Sequence, residues 1–356
     1  MNKSLVIVVY DSILNSVFDG QILAPLIKKL DNSHYNHGYI ISFEPHHVCD
    51  QKIDQINSAH PQLKVIIIPR WKFIVPWLLF IQINRLKKIF DHIQTPYEII
   101  ARGALAGFLA TNALEKIPNI PLTVQARGLL AKEYRHEHGQ ASGCVTLFYR
   151  WRAQQYEKIE RAVYGNIQKL TNYTIESVSA ALEEYLINTF AAHQGDFTRA
   201  KDDIPTIKNT EKIPQWRVNT RTELGLEPTA TVYCFSGAVK SWQDPRLVID
   251  YFTQRYQENA KNFLLILTPQ VKEFKKQLQQ HLPQSAYFVA AVTHEQVYQY
   301  LAAADVGLIF REPGVVSWVS RPVKAMEYEA MGLKIVHNNT VDWLLQRYGI
   351  NRTFTT

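Results

Sequence analysis

The sequence predicts an α/β fold of two parallel-sheet domains facing a central cleft. Three observations carry that expectation. The chain has 356 residues, too many for one ordinary core and suited to two domains. Short, continuously apolar runs alternate with helix-like segments twice over, the pattern of parallel strands buried on both faces. A polar stretch after about residue 190 separates the two series.

The first series opens with the strand run Leu5–Tyr10, followed by the helical segment "GQILAPLIKKL", in which Ile22, Leu26 and Leu30 share one face. "YIISF", "KVIII", "YEIIA" and "PLTVQ" read as further strands, and "KLTNYT" as the one that closes the series. Two long helices follow, "TLFYRWRAQQYEKIERAVYGN" and "ESVSAALEEYLINTF". The stretch "AAHQGDFTRAKDDIPTIKNTEKIPQWRVNT" shows no clear period and reads as a linker. The second series has strands in "ATVYCFSG", "NFLLILT", "AYFVAAV", "DVGLIF" and "LKIVHN", with helices in "PRLVIDYFTQRYQ" and "HEQVYQYLAAA". The expected domains are 1–205 and 206–356, both Rossmann-like, with ligands beyond the carboxyl ends of the strands.

Composition narrows the partners. With 46% hydrophobic residues the chain is not expected to be disordered. Its net charge of +7 favours anionic ligands or an acidic surface without choosing among them. The three cysteines, Cys49, Cys144 and Cys234, have no metal-ligand spacing and suggest buried thiols in a reducing compartment. The N-terminus reads as a strand, not a signal peptide, and no run reaches the about 20 apolar residues needed to span a bilayer. A cytoplasmic protein is the expectation.

Four stretches could carry chemistry. In "SRPVKAMEYEAMGLKIV", Ser320–Val336, Pro322 suits a first helical turn and Gly332 ends the helix. The backbone N–H groups at that start favour phosphate, Lys324 adds a charge, and Glu327 is placed to accept from vicinal hydroxyls such as those of a ribose. Spacing alone fits an i,i+3 surface pair equally well. In "FSGAVKSW", small residues around Gly237 let the backbone approach a ligand, and Lys240 could meet a phosphate; Trp242 reads as packing more than stacking. The tripeptide "ARG" occurs twice, placing Arg102 and Arg127 at the carboxyl edge of the first sheet. Either arginine could bind an acceptor's anionic group, and Arg127 could instead pair with Glu133. Arg311 stands at the same edge of the second sheet. Finally, Arg70–Phe90 mixes aromatic and basic residues; it fits a core helix with basic ends or a surface that docks on an acidic membrane.

Absences exclude other classes. No His/Cys cluster or Asp-x-Asp pair offers a metal site, so neither metal nor cofactor is expected. There is no phosphate-loop motif, no dinucleotide fingerprint and no nucleophile elbow. Aromatic and basic residues do not alternate along a strand, so nucleic acid is not an expected partner.

The second half resembles the family 4 (group 1) glycosyltransferases. Their segment S-x-P-x-K-x-x-E-Y-x-A-x-G-x-P-V-V is matched at Ser320, Pro322, Lys324, Glu327, Tyr328, Ala330 and Gly332, with Lys334 replacing the usual proline. "VYQYLAAADVGLIFRE" and "VYCFSGAVKSWQDPRLVIDYF" resemble the preceding elements of that domain. "VFDGQILAPLIKKL", "IIARG", "TVQARGLLAKEYR" and "SVSAALEEYL" are similar to segments of members that build bacterial surface polysaccharides.

The resemblance implies a GT-B fold and retaining, metal-independent transfer of a sugar from a nucleotide-sugar donor to a glycan or lipid-linked acceptor, at the inner face of a membrane. It implies Glu327 on the donor ribose, and the turn Ser317–Val323, with Ser320, Pro322 and Val323, facing the donor sugar and diphosphate. Gly237, Lys240 and Arg311 would serve the donor, and Arg102, Arg127 and Glu133 would border the acceptor. The family's E-x7-E pair would put its first glutamate at Val319, so one sugar-binding carboxylate is missing. The chain also ends at Thr356, which leaves little room for the family's cross-over helix; the expectation is either a differently organised closure or a short natural terminus. The competing expectations are a GT-B-like nucleotide-sugar epimerase or phosphorylase and a non-catalytic nucleotide-sugar-binding subunit.

Overall fold

A computed structural model describes residues 3–15, 18–32, 35–45, 50–70, 76–93, 96–115, 119–139, 142–165, 172–201, 207, 209–238 and 242–354. The chain divides into two compact units, Met1–Ala200 and Lys201–Thr356.

The first unit is built on seven strands: β1 (Ser4–Val9), β2 (His37–Glu44), β3 (Leu63–Pro69), β4 (Tyr97–Arg102), β5 (Leu122–Ala126), β6 (Tyr173–Ser177) and β7 (Phe197–Arg199). They pair in parallel in the order β3-β2-β1-β4-β5-β6-β7. β1 is buried at every position, as its unbroken apolar run requires. The order reverses between β1 and β4, where Val9 stands beside Arg102 in register. That reversal opens a crevice at the carboxyl edge, the usual ligand position in such sheets.

Three details differ from the sequence expectation. The strand expected at "KLTNYT" runs Tyr173–Ser177, and β7 follows it, so the series does not close there. The helix expected from Glu176 begins at Ala180, because Glu176 and Ser177 pair with β5 and Ser179 caps the helix by accepting from Leu182 N at 3.1 Å. The stretch read as a linker holds β7 and a helix, Ile213–Glu223.

The second unit has five strands: β8 (Val232–Ser236), β9 (Phe263–Leu267), β10 (Tyr287–Ala290), β11 (Val306–Ile309) and β12 (Lys334–His337). All pair in parallel, in the order β10-β9-β8-β11-β12, with the reversal between β8 and β11. One core face packs Phe235, Phe252, Phe274 and Phe310; the other packs Cys234, Tyr328, Trp343 and Leu344. Of the three cysteines, Cys234 is a buried free thiol that burial pushes well above its ordinary pKa, so it is unreactive; Cys49 and the Cys144 side chain lie outside what is described.

The helix Ile213–Glu223 was missed because its few apolar positions give no clean period. Its arginines hold it. Arg221, 8% exposed, donates to the carbonyls of Ala303 (2.9 Å) and Ala230 and sits 3.4 Å from Asp305. Asp305 also accepts from Arg217 and from Val232 N at 2.8 Å, so one carboxylate ties this helix to the start of β8. Arg221 is buried, but the Arg217 and Asp305 side chains are 41% and 31% exposed, so loss of Arg221 costs about 1–3 kcal/mol, mainly through carbonyls left without a donor. Arg221→Ala is therefore expected to lower the urea midpoint without changing the slope of the transition, and Arg221→Lys to restore only part of it.

Candidate functional site

The carboxyl edge of the second sheet gathers a connected set of polar side chains at the β8/β11 reversal. The helix Val323–Ala330 is their carrier. It ends in a Schellman motif, with Leu333 N donating to Tyr328 O at 2.9 Å and Gly332 N to Glu329 O at 3.0 Å. Pro322 is its N-cap residue and Val323 its first residue, one position later than the sequence expectation.

Tyr328 locks this helix to the sheet. Its ring is fully buried and lies across Gly307 on β11, where any side chain would collide with it. Its hydroxyl accepts from Ser236 N at 2.9 Å and from Ser236 Oγ at 3.2 Å, the last residue of β8. Burial holds the phenol well above its ordinary pKa, so it stays a neutral hydrogen-bonding group.

Lys324 lies one turn before Tyr328 on the same face. Its Nζ stands 4.0 Å from the centroid of Phe235 and 3.4 Å from Gln243 Oε1. Gly237, at φ +108°, carries the chain past this ammonium in a conformation that a side chain would strain, and its N–H donates to Leu267 O at 2.8 Å. Burial, and then the charge of Arg311, push Lys324 down to about 7, against the pull of Glu327. The lysine is only partly covered by area.

Arg311 follows β11 and is 9% exposed. Its backbone is clamped by Asn338, which accepts from Arg311 N at 3.1 Å and donates to Arg311 O at 2.7 Å; Thr340 adds a bond to the same carbonyl. The guanidinium donates to Ser320 Oγ at 3.1 Å, and Ser320 in turn donates to Ser317 O at 2.7 Å. Gln243 bridges to Arg311 through its backbone, and Glu312 N donates to Trp242 O at 3.0 Å. Trp242 and Gln243 are thus zipped over the end of β11, Trp242 through its carbonyl.

Two cations are therefore placed close enough for one to depress the other. Like charges in a half-buried crevice repel, and an anion held there would raise Lys324 again. Val319 is 1% exposed and belongs to the core, so the position that would carry the family's first glutamate is taken by packing. Lys240 lies outside the described residues. Gln243, Phe235 and Tyr328 were not singled out from sequence: a glutamine after a turn and an aromatic at a strand end carry no signal of their own. Tyr328 stood within the matched motif without a role.

The first unit presents its own carboxyl edge. Arg102 ends β4 and donates to the side chain of Gln21; burial lowers its pKa, opposed by the nearby Asp11 and Glu176. Arg127, after β5, stands 3.9 Å from Glu176 on β6. Glu133 accepts from Leu129 N at 3.2 Å and lies against Gly128, turned back on the start of its own helix, Leu130–His138.

No protein-family model and no curated protein matches this chain. Solved structures do. WaaG, described as a glycosyltransferase involved in lipopolysaccharide biosynthesis, superposes with a TM-score of 0.64 at 12% identity, over 98% of this chain and 83% of that one. The fold is GT-B. A glycosyltransferase from Rickettsia africae matches at a TM-score of 0.63 and 12% identity, over 96% and 81%. A UDP-GlcNAc 2-epimerase from Neisseria meningitidis, bound to UDP-GlcNAc, matches at 0.51 and 10%, over 94% and 82%. At these identities the likeness establishes the fold, which transferases and epimerases share.

Proposed function

We propose that this chain is a glycosyltransferase that moves a sugar from a nucleotide-sugar donor to a glycan or lipid-linked acceptor in surface-polysaccharide assembly. The observation that carries the reading is the convergence of Lys324 and Arg311, both joined to Gln243, at the β8/β11 reversal. In this reading the donor diphosphate lies against Lys324, Arg311 and the backbone around Gly237 and Ser320, with Pro322 and Val323 presenting the start of the helix. Glu327, three residues beyond Lys324, receives the ribose hydroxyls. Arg102 and Arg127 meet anionic groups of the acceptor, and Glu133 shapes the turn that carries Arg127.

The chemistry required is cleavage of the bond between the anomeric carbon and the diphosphate oxygen. A new bond forms to an acceptor oxygen on the same face, and the acceptor's proton passes to the departing diphosphate. Negative charge grows on the diphosphate as the bond breaks, and Lys324 and Arg311 are fixed in place before it does. Neither metal nor cofactor has a role in this scheme. Glu327→Gln is expected to weaken binding of the donor roughly tenfold to a hundredfold, since it removes a charged hydrogen-bond acceptor. Isothermal titration with the cognate nucleotide sugar checks this, and unchanged affinity contradicts the placement of the ribose.

The epimerase neighbour supports a second reading, in which the same site acts on the nucleotide sugar without an acceptor. Incubation with the donor alone separates the two: a new epimer favours that reading, and an unchanged donor favours transfer.

A further inference from the structure

Among the described residues, exposed large apolar side chains concentrate on one element of the first unit. Val145, Leu147, Phe148 and Trp151 are all exposed, Leu147 at 68%, and all lie in the first two turns of the helix Cys144–Tyr164. Phe148 and Trp151 touch, with ring centroids 6.1 Å apart.

The placement of that helix explains why these residues keep a large exposed area. Glu160 accepts from Ala131 N, just past the carboxyl end of β5, and Val163 faces Val124 across Gly107. The C-terminal part of the helix therefore lies over the sheet. The residues before Glu160 run on beyond its carboxyl edge, and at 1.5 Å per residue Leu147 stands about 20 Å past Glu160. The helix Leu130–His138 packs beside it, and the two form a projecting hairpin. Its inner face is closed by Tyr134, His138, Tyr149 and Tyr156, with the Arg152 guanidinium over the rings of Tyr134 and Tyr156. The outer face carries Leu147, Phe148 and Trp151, with exposed Arg150 among them and Lys158 further along.

A second exposed pair lies at the same edge. Phe80 (63% exposed) and Ile81 lie in the second turn of the helix Pro76–His92, while Leu79, Leu86 and Phe90 pack inward. Gln82, next to them, receives a bond from Tyr10 at the end of β1, which fixes this part of the helix at the carboxyl edge. Exposed Arg85 and Lys88 follow. Of the segment Arg70–Phe90, read as a core helix with basic ends or a membrane-docking surface, residues 71–75 and the side chains of residues 76–78 lie outside what is described.

We propose that the hairpin tip, Val145–Trp151, is an interfacial anchor that inserts in the headgroup region of an anionic bilayer, with Phe80 and Ile81 as an accessory contact. Aromatic and aliphatic side chains enter the acyl boundary while the interleaved arginine meets lipid phosphates. A second copy of the chain fits the patch less well: a two-fold contact would bring each arginine-bearing face against itself. Among the described residues no helix is long and apolar enough to cross a membrane. The inference rests on the surface alone and stands apart from the reading of the nucleotide-sugar site.

The test is sedimentation with phosphatidylcholine vesicles, with and without phosphatidylglycerol. The wild-type chain is expected in the pellet with anionic vesicles and in the supernatant with neutral ones. The triple variant Leu147→Ser/Phe148→Ser/Trp151→Ser and the single variant Arg150→Glu are expected to lose most of that binding. Both are surface changes, and an unaltered melting temperature shows that they fold. A wild type that stays in the supernatant, or variants that sediment as the wild type does, overturns the proposal. So does a wild-type dimer in gel filtration that the triple variant converts to monomer, because the patch is then a self-interface.

Discussion

Lys324→Met is expected to abolish donor binding and to stabilise the empty protein. Both effects follow from one placement. Burial and the neighbouring Arg311 hold the lysine down to about 7, below its ordinary value of 10.5. The unfolded chain binds this proton up to about pH 10.5, whereas the folded chain gives it up near 7. Below about 7 both states are protonated and the fold carries the cost of the partly covered charge. Between about 7 and 10.5 the unfolded state holds more protons, so stability rises with pH. Methionine fills a similar volume without charge. The variant should therefore melt a few degrees higher than the wild type at pH 6 to 7, with the gap shrinking towards pH 10. Binding runs the opposite way. An anion needs the ammonium, so wild-type affinity for the donor falls as pH rises above about 7, by at most about tenfold per unit, with a proton taken up on binding. Melting curves across pH and calorimetry in buffers of different ionisation heat measure both. A variant that is less stable at pH 6 than the wild type contradicts this account of the lysine.

Gly307→Ala should be the most damaging single-methyl change in the second unit. The added carbon collides with the buried Tyr328 ring, and that ring cannot move without releasing Ser236. Overpacking of this kind costs about 1–3 kcal/mol and more where the backbone must shift. Here the shift displaces the helix carrying Lys324 and Glu327, so donor affinity should fall along with stability. Tyr328→Ala is expected to cost about 3–5 kcal/mol. If the collision is the cause, Gly307→Ala combined with Tyr328→Ala should destabilise by much less than the sum of the two. Tyr328→Phe, which keeps the ring and strips an acceptor from Ser236 N, should cost about 1–3 kcal/mol. Urea denaturation of the four variants supplies the cycle. Strict additivity contradicts the packing argument.

The sequence carried the central strands of both sheets well, because doubly buried parallel strands are continuous apolar runs, but it closed the first series one strand early, because β7 is three residues long and largely exposed. It carried the helix Ile213–Glu223 badly, because arginines aimed at carbonyl groups hold that helix and leave no apolar stripe. At the site, spacing placed Lys324 and Glu327 on one helix but left them divided between a surface pair and a ligand. Two facts of tertiary packing bear on that choice: Tyr328 pins the helix to β8, and Arg311, 13 positions earlier in the chain, is brought close to Lys324 by the β8/β11 reversal. Neither is a property of local sequence. The exposure of Phe148 and Trp151 was hidden for the same reason: a helix that overshoots its sheet has the same composition as one that covers it.

The central claim is that the carboxyl edge of the second sheet holds a nucleoside diphosphate sugar. Thermal shift against UDP-, GDP-, CMP- and dTDP-sugars, run in parallel on the wild type and Lys324→Met, tests it most directly. One nucleotide class should raise the wild-type melting temperature by roughly 5 °C at a hundredfold excess over its dissociation constant, and the same ligand should leave the variant unmoved. A panel that shifts neither protein, or shifts both alike, contradicts the claim.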